Sequence, residues 1–491
     1  MMKDSWPKRP VIYEINTWVW LYELSRKYGK TVTLATVPDA EWDGLGAYGF
    51  DAVWFMGVWE RSPAGMAISM KNGGLLADFR RALPDFSPQD NVGSPYCVRR
   101  YVVDANLGGP EGLVAARGKL AARGLRLILD FVPNHVAPDH PWVNEHPEYF
   151  IQGTDDDAAK QPDAFVRIDG KVLACGRDPY FPAWPDVLQL NAFDAELRKA
   201  AVDTVNSIAD QCDGMRCDMA MLLMNPIFER TWGARAGARP ATEYWPDLIA
   251  AVRKRHAQVL FIAEAYWDLE WDLQQQGFDY CYDKRLYDRL EHNAAETVRL
   301  HLCADLAYQE RLVRFVENHD EPRASATFET GKAAAAALTA AALPGAKLFH
   351  EGQFEGRCVR LPVFLRRRPD EPPDEGLRSF YRTLLRFLRA DDVRNGEWSL
   401  CERRGWPDNR SFLNLLAWCW RKGNARHLIV ANLSPAEVQG EVMLPWKDLA
   451  GRSWRLADVI SGEVFDRHGD QLSKSGLYVD LDPWKFHVLK F

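Results

Sequence analysis

Four short stretches of this chain place ionisable side chains at the ends of apolar runs: Asp130-Phe131-Val132-Pro133-Asn134-His135, Arg216-Cys217-Asp218, Ala263-Glu264-Ala265 and Glu317-Asn318-His319-Asp320. Arg216 and Asp218 are two residues apart, so on a strand both point to the same face. A charged pair facing the inside of a sheet is costly unless it is partnered or used. Carboxylates from Asp218, Glu264 and Asp320 that converge from different strands on one mouth suit catalysis better than packing. The same residues also admit a plainer reading, a buried ion-pair network around Arg216.

These residues need a scaffold that brings strand ends together. Val11–Asn16, Ala52–Val58, Arg126–Val132, Gly214–Ala220, Val259–Tyr266, Phe278–Tyr282, Arg311–His319 and Lys347–Gly352 read as strands. Their near-continuous hydrophobicity implies burial on both faces, hence a parallel sheet with helices outside. Amphipathic stretches such as Pro110–Arg123, Asp194–Asp210, Asp247–Gln258 and Leu377–Arg389 lie between or after them. Alternation repeated about eight times predicts an α/β fold, a (β/α)8 TIM barrel, with chemistry at the C-terminal strand ends. Two segments break the pattern. After His135 the chain runs on for about 50 residues rich in Pro, Asp and aromatics. Trp142, Tyr149, Phe150, Tyr180, Phe181 and Trp184 predict that this insert packs as a small subdomain. From about Asp392 helices are expected to stop, and Phe412–Arg421, His427–Asn432, Trp454–Val459 and Leu477–Phe491 predict an antiparallel β-sandwich. The expected domains are a barrel over 1–135 and 186–391, an insert over 136–185 and a C-terminal domain over 392–491.

Composition narrows the class of function. Of 491 residues, 47 % are hydrophobic and 26 % charged, which excludes a mostly disordered chain or a collagen. Lys and Arg number 61 against 68 Asp and Glu, a net charge of −7, which argues against a nucleic-acid partner. Trp is abundant at 19 residues; indole faces suit flat apolar ligands such as sugar rings, although any single Trp also serves as core. The N-terminal stretch has no apolar leader region, and no run of about 18 apolar residues predicts a membrane partner. Nine Cys without a CxxC pair fit reduced thiols, so the expected location is the cytoplasm. The sequence carries no signal for an oligomeric state.

DFVPNH, GMRCDMA, FIAE and ENHD occur in this order, with acidic residues at positions 130, 218, 264 and 320. With Phe50-Asp51-Ala52-Val53-Trp54, Leu188-Gln189-Leu190-Asn191, and Leu343-Pro344-Gly345-Ala346-Lys347-Leu348 followed by Glu351-Gly352, they resemble the conserved regions of the α-amylase family of glycoside hydrolases (family 13) over nearly the whole chain. The resemblance implies a barrel (domain A), an inserted domain B after strand three and a β-sandwich domain C. It implies that Asp218 is the nucleophile, Glu264 the general acid/base and Asp320 the carboxylate that stabilises the transition state. It gives Tyr96, His135, Arg216, His319 and Arg323 to the substrate and Asp130 a structural role; Arg323 either reaches the sugar or seals its loop. A retaining glycosidase needs two carboxyls about 5–5.5 Å apart in different protonation states. Arg216 is therefore expected to keep Asp218 ionised, while burial and negative surroundings keep Glu264 protonated.

The resemblance requires no cofactor for the chemistry. Asn134 resembles an asparagine that binds structural calcium in many amylases, and Asp139 and Asp155-Asp156-Asp157 could add oxygens. Two departures bear on substrate. Met219-Ala220-Met221-Leu222 follows the nucleophile where many endo-acting amylases carry Lys-His, and Cys97 stands where many exo-acting glucosidases carry Asp. His319-Asp320-Glu321-Pro322-Arg323 is nearer the glucosidase and transglycosylase branch. The function implied is a retaining hydrolase of α-1,4-glucans, maltooligosaccharides or small α-glucosides, acting through a covalent glycosyl-Asp intermediate. A transglycosylase or isomerase, trehalose synthase-like or glucanotransferase-like, is the alternative; a non-catalytic amylase-fold binding protein is the remote one.

Overall fold

Eight short strands close into a barrel in chain order: β1 (Val11–Asn16), β2 (Ala52–Met56), β3 (Arg126–Phe131), β4 (Gly214–Cys217), β5 (Leu260–Ala263), β6 (Tyr280–Tyr282), β7 (Leu312–Arg314) and β8 (Ala346–His350). The computed structural model describes residues 5–329 and 331–491; residues 1–4, part of the N-terminal stretch read above for a leader, lie outside it. The paired strands run parallel, with register such as Arg216 opposite Asp130 and Ile262. Residues of β2, β3 and β4 are buried throughout, as expected for strands covered on both faces. Helices between them start on side-chain caps: Asp194 accepts from Leu197 N at 2.8 Å to open Ala195–Ala209, and Asp374 accepts from Leu377 N at 2.9 Å to open Glu375–Leu388.

By contacts the chain divides into two compact units, one chiefly Ile12–Tyr282 with Val359–Asp370, the other chiefly Asp283–Cys358 with Glu371–Phe491. The first carries the insert. His135–Val136, Trp184–Gln189, Lys171–Gly176 and Phe165–Ile168 form a four-stranded sheet over a core that includes Val136, Val143, Tyr149, Phe150, Leu173 and Leu188. Tyr180 and Phe181 do not join that core as expected: they are 56 % and 65 % exposed. Buried Asp178 accepts from both of their N–H groups, which turns the chain outward there.

The insert also holds His140 neutral. Its Nδ1 accepts a hydrogen bond from Trp142 N at 3.1 Å, and burial, reinforced by Arg100 and Arg99, pushes its pKa down to about 4. The unfolded chain takes up that proton near pH 6.5 and the folded one does not, so stability falls as pH drops from about 6.5 to about 4. The expected loss is about 3 kcal/mol. Urea unfolding near pH 7 and near pH 4.5 checks this: His140→Gln is expected to show a smaller loss than the parent, and an equal loss contradicts it.

The second unit carries β7, β8 and the C-terminal sheets. Six strands order as Glu397–Leu400, Leu415–Lys422, Ala425–Asn432, Phe486–Lys490, Ser453–Asp458 and Val464–His468. A three-stranded sheet of Glu402–Arg404, Val438–Met443 and Leu477–Leu481 completes the core. Leu415, Ala417 and Cys419 alternate into that core, while Trp418 and Trp420 point the other way. Both indoles donate to Ala342 O, at 3.1 and 2.8 Å, and so satisfy a carbonyl at the end of helix Lys332–Ala342. The alanines of that helix leave room for two indoles beside its end. Helices do not stop at Asp392 as expected: Gly469–Ser475 is helical, and its seven polar-rich residues, with Leu472 buried, are too few to show a period. Among the described residues no helix is long and apolar enough to cross a membrane.

Gly345, before β8, takes φ +93°, and a Cβ there would overlap the carbonyl oxygen of Leu312 in β7. Gly345→Ala is expected to cost about 2 kcal/mol or more, read as a lower thermal midpoint. An unchanged midpoint contradicts this.

Candidate active site

Strands β4 and β5 end earlier than the sequence suggests, and the acidic residues sit one step beyond them. The ladder continues far enough to place them. Asp218 N donates to Phe131 O at 2.8 Å, Glu264 N to Cys217 O at 3.0 Å and Ala220 N to Glu264 O at 3.1 Å. Each acid is thus pinned by its backbone to the strand before it. Trp245 Nε1 donates to Ala220 O at 2.8 Å and fixes the turn beyond the nucleophile candidate.

Arg216 bridges both carboxylates. Its Nη1 donates to Asp218 Oδ1 at 2.5 Å, and Nη2 lies 2.8 Å from Glu264 Oε2. All three side chains are buried. The guanidinium sits in an aromatic cage, 5.5 Å from the Trp54 ring, 5.2 Å from Tyr96 and 5.8 Å from Tyr282. The negative surroundings, Glu264 foremost, outweigh burial and hold Arg216 well above its ordinary range. The sequence pointed to Tyr96 and Arg216; it missed Trp54 and Tyr282, which look like ordinary strand aromatics.

Glu264 is surrounded by donors. Met219 N–H donates to Oε2 at 2.6 Å, Tyr266 O–H donates to Oε1 at 2.9 Å, and Arg216 faces Oε2. These contacts hold both oxygens of the buried Glu264 carboxyl in place. The sequence placed the bridging arginine beside Asp218 alone. Met219 takes a left-handed φ of +41°, uncommon for a residue with a side chain, and so presents its N–H to Glu264. Tyr266 was also missed; its two-residue spacing from Glu264 was the available signal.

His135 is buried against Trp184, ring centroids 5.3 Å apart. Burial pushes its pKa down and the Asp218 charge opposes this, which places the ring in the field of that carboxylate. Asp130 accepts from Gly57 N at 3.1 Å through Oδ2 and from Trp59 Nε1 at 2.8 Å through its carbonyl, a bracing role between β2 and β3.

In the second unit, Asn318 Oδ1 accepts from the N–H of Asp320 and of Glu321, both at 2.9 Å, and sets the turn that carries Asp320. His319 Nε2 lies 2.8 Å from Asp320 Oδ2; the His319 side chain is buried and that of Asp320 38 % exposed. Arg323 Nη1 donates to Glu317 Oε1 at 2.7 Å and Glu351 O at 2.8 Å, and lies 2.9 Å from His350 Nδ1. Of the two roles weighed for Arg323, these bonds serve the sealing of its loop.

The oxygens considered for calcium are spent elsewhere. Asn134 Oδ1 and its carbonyl accept from Gln189 Nε2 at 2.9 and 3.0 Å. Asp139 accepts from Ser62 Oγ at 2.5 Å, while Asp155, Asp156 and Asp157 meet Arg167, Lys160 and Arg235. A calcium site needs six to eight converging oxygens, and this set does not fit one. Among the described residues no cluster of three or more His, Cys, Asp or Glu could hold a metal ion.

A parallel eight-stranded barrel with buried, arginine-bridged carboxylates at adjacent strand ends now stands beside the comparisons with known proteins. Residues 49–416 match the family model "Alpha amylase, catalytic domain", well over half of the chain. The chain belongs to the α-amylase family. It is 25 % identical over 481 residues to "Alpha-amylase MalA" of Haloarcula japonica, covering 95 % of this chain and 60 % of that protein. It thus spans less than two thirds of that relative's length. It is also 26 % identical over 182 residues to an alpha-1,4-glucan:maltose-1-phosphate maltosyltransferase of Bifidobacterium animalis subsp. lactis, 36 % of this chain and 21 % of that one. Among solved structures, the fold resembles a maltogenic alpha-amylase of Thermotoga neapolitana (TM-score 0.68, 18 % identity, 99 % of each chain). It also resembles a debranching enzyme of Nostoc punctiforme (TM-score 0.64, 15 % identity, 100 % of each chain).

Proposed function

We propose that this protein hydrolyses α-glucosidic bonds of short α-1,4-glucans with retention of configuration. The observation that carries the reading is Arg216 holding the Asp218 and Glu264 carboxylates on one guanidinium. That shared cation favours the close spacing of a covalent mechanism over the wider one that admits a water between the acids. Asp218 Oδ attacks the anomeric carbon as the C–O bond to the leaving sugar breaks, and Glu264 passes a proton to the departing oxygen. Water, deprotonated by Glu264, then cleaves the glycosyl-Asp ester. The first step needs Glu264 protonated, and an occupying sugar that excludes water favours that form. Tyr96, His135 and His319 hold the sugar. Asp320 takes the role of the stabilising carboxylate that its family position implies, on its own loop after β7. The three-domain assignment made from sequence, a barrel, an insert and a C-terminal sandwich, is part of this reading.

Transfer to another sugar in place of water is the second reading, favoured by the match to maltosyltransferases. Product identification tests both, with maltose, maltotriose, maltotetraose, trehalose and sucrose offered separately. The expected result is shorter maltooligosaccharides released as α-anomers, seen by proton NMR before mutarotation. Early β-anomer contradicts retention; longer oligosaccharides or trehalose as the main product move the assignment to transfer.

A further inference from the structure

The barrel interior carries a buried acid that the proposed reaction does not use. Glu14 lies in β1, is 0 % exposed and pairs in register with Trp54 of β2. Paired residues of a parallel ladder project to the same face. Trp54 faces Arg216, ring to guanidinium 5.5 Å, so Glu14 projects into the barrel interior as well. Tyr13 takes the other side of β1 and stacks on Phe50, centroids 4.7 Å apart. Such interiors are filled mainly by branched apolar residues, and a carboxyl among them is costly unless it is used.

Tyr282 of β6 ties Glu14 to the site. Burial raises the pKa of its hydroxyl, Arg216 opposes this, and the charges of Glu14 and Glu264 raise it further. Its ring lies 5.8 Å from the guanidinium that faces Asp218 and Glu264. One cation thus serves two carboxylates at the strand ends and shares its surroundings with a third from β1. The other ionisable groups on neighbouring strands are engaged locally. On β3, Asp130 accepts from Gly57 N at 3.1 Å, and Arg126 donates to Ser5 O at 2.8 Å and stacks on Trp6. On β8, Lys347 Nζ donates to Gly345 O at 2.5 Å, and His350 Nδ1 lies 2.9 Å from Arg323 Nη1. Strand β2 brings no charge. An arginine alone beside Glu264 would favour the carboxylate form, although the leaving oxygen needs the proton; a further negative charge nearby works the other way.

We propose that Glu14 is a positioning residue for the acid/base step: its carboxylate offsets part of the charge of Arg216 and so lets Glu264 keep, to higher pH, the proton that the leaving oxygen takes. It acts through Arg216 and Tyr282, from inside the barrel. This inference rests on the glycosidase reading above.

The test compares the full-length protein with Glu14→Gln, which keeps the size and removes the charge, and Glu14→Asp, which keeps the charge. kcat/KM is followed against pH for maltotriose, whose leaving sugar needs the proton, and for α-glucosyl fluoride, whose leaving fluoride needs it less. The ratio of the two cancels losses common to both substrates. Its midpoint on the alkaline side is expected to fall by about one pH unit in Glu14→Gln and to stay near the parent in Glu14→Asp. A merely structural role lowers both rates at every pH and leaves that midpoint in place, which overturns the proposal. A Glu14→Gln protein that does not fold assigns the charge to stability and overturns it too. Carbon-13 NMR of labelled Glu carboxyls, with the Glu264 signal identified by its loss in Glu264→Gln, needs no turnover. Its titration midpoint is expected to move by the same amount. That shift, in a parent that turns over neither substrate, sinks the glycosidase reading and leaves the coupling of Glu14 to Glu264 standing; an unmoved Glu264 signal overturns the coupling itself.

Discussion

Asp218→Asn is expected to lower kcat on maltotriose by about 10⁴-fold or more while the protein stays folded. The amide fills the same space beside Arg216, but it cannot attack the anomeric carbon. Stability is expected to change little, because Arg216 keeps Glu264 as its counter-ion at 2.8 Å. Steady-state kinetics and thermal unfolding of the same preparation check both halves. A variant with a tenth or more of the parental kcat removes Asp218 from the role of nucleophile. A variant that loses activity only because it unfolds leaves the plainer reading, a structural ion-pair network, in possession of these residues.

Arg216→Met is expected to damage stability and activity together. Methionine fills much of the aromatic cage of Trp54, Tyr96 and Tyr282 but leaves two buried carboxylates facing each other without their cation. Breaking a buried pair by removing one partner costs about 3–5 kcal/mol. Activity is expected to fall by about 10²–10³-fold, because one of the two acids must then hold a proton and is wrong for one step of the reaction. Arg216→Lys separates bridging from mere charge. A single ammonium cannot place donors on both Asp218 and Glu264 as the planar fork does, so this variant should fall between parent and Arg216→Met in both measures. If Lys restores full activity, the bridge is not what poises the two acids.

Both expectations rest on features of unequal legibility. Asp218 and Arg216 could be paired from their spacing alone, because two residues on one strand share a face. The barrel strands were visible because burial on both sides leaves continuous apolar runs. The setting of Glu264 was not visible. It depends on Arg216 reaching across to the next strand, on the left-handed turn at Met219 and on Tyr266, and none of these is a property of the local sequence. Tyr180 and Phe181 were misjudged for a related reason: composition shows that aromatics are present, while only the Asp178 turn shows that they face outward. The short helix Gly469–Ser475 was hidden because seven residues with one buried leucine carry no periodic signal. At Asn134, the donor to Oδ1 and to the carbonyl is Gln189 of strand Trp184–Gln189, a partner that sequence spacing does not reveal.

The most direct test of the account is to trap the glycosyl-enzyme. A fluorinated α-glucosyl fluoride that forms the ester quickly and hydrolyses slowly should label the protein once per chain, and peptide mass spectrometry should place the sugar on Asp218. A label on any other residue, or complete turnover of the reagent with no adduct formed at any time, would contradict the covalent mechanism proposed for this site.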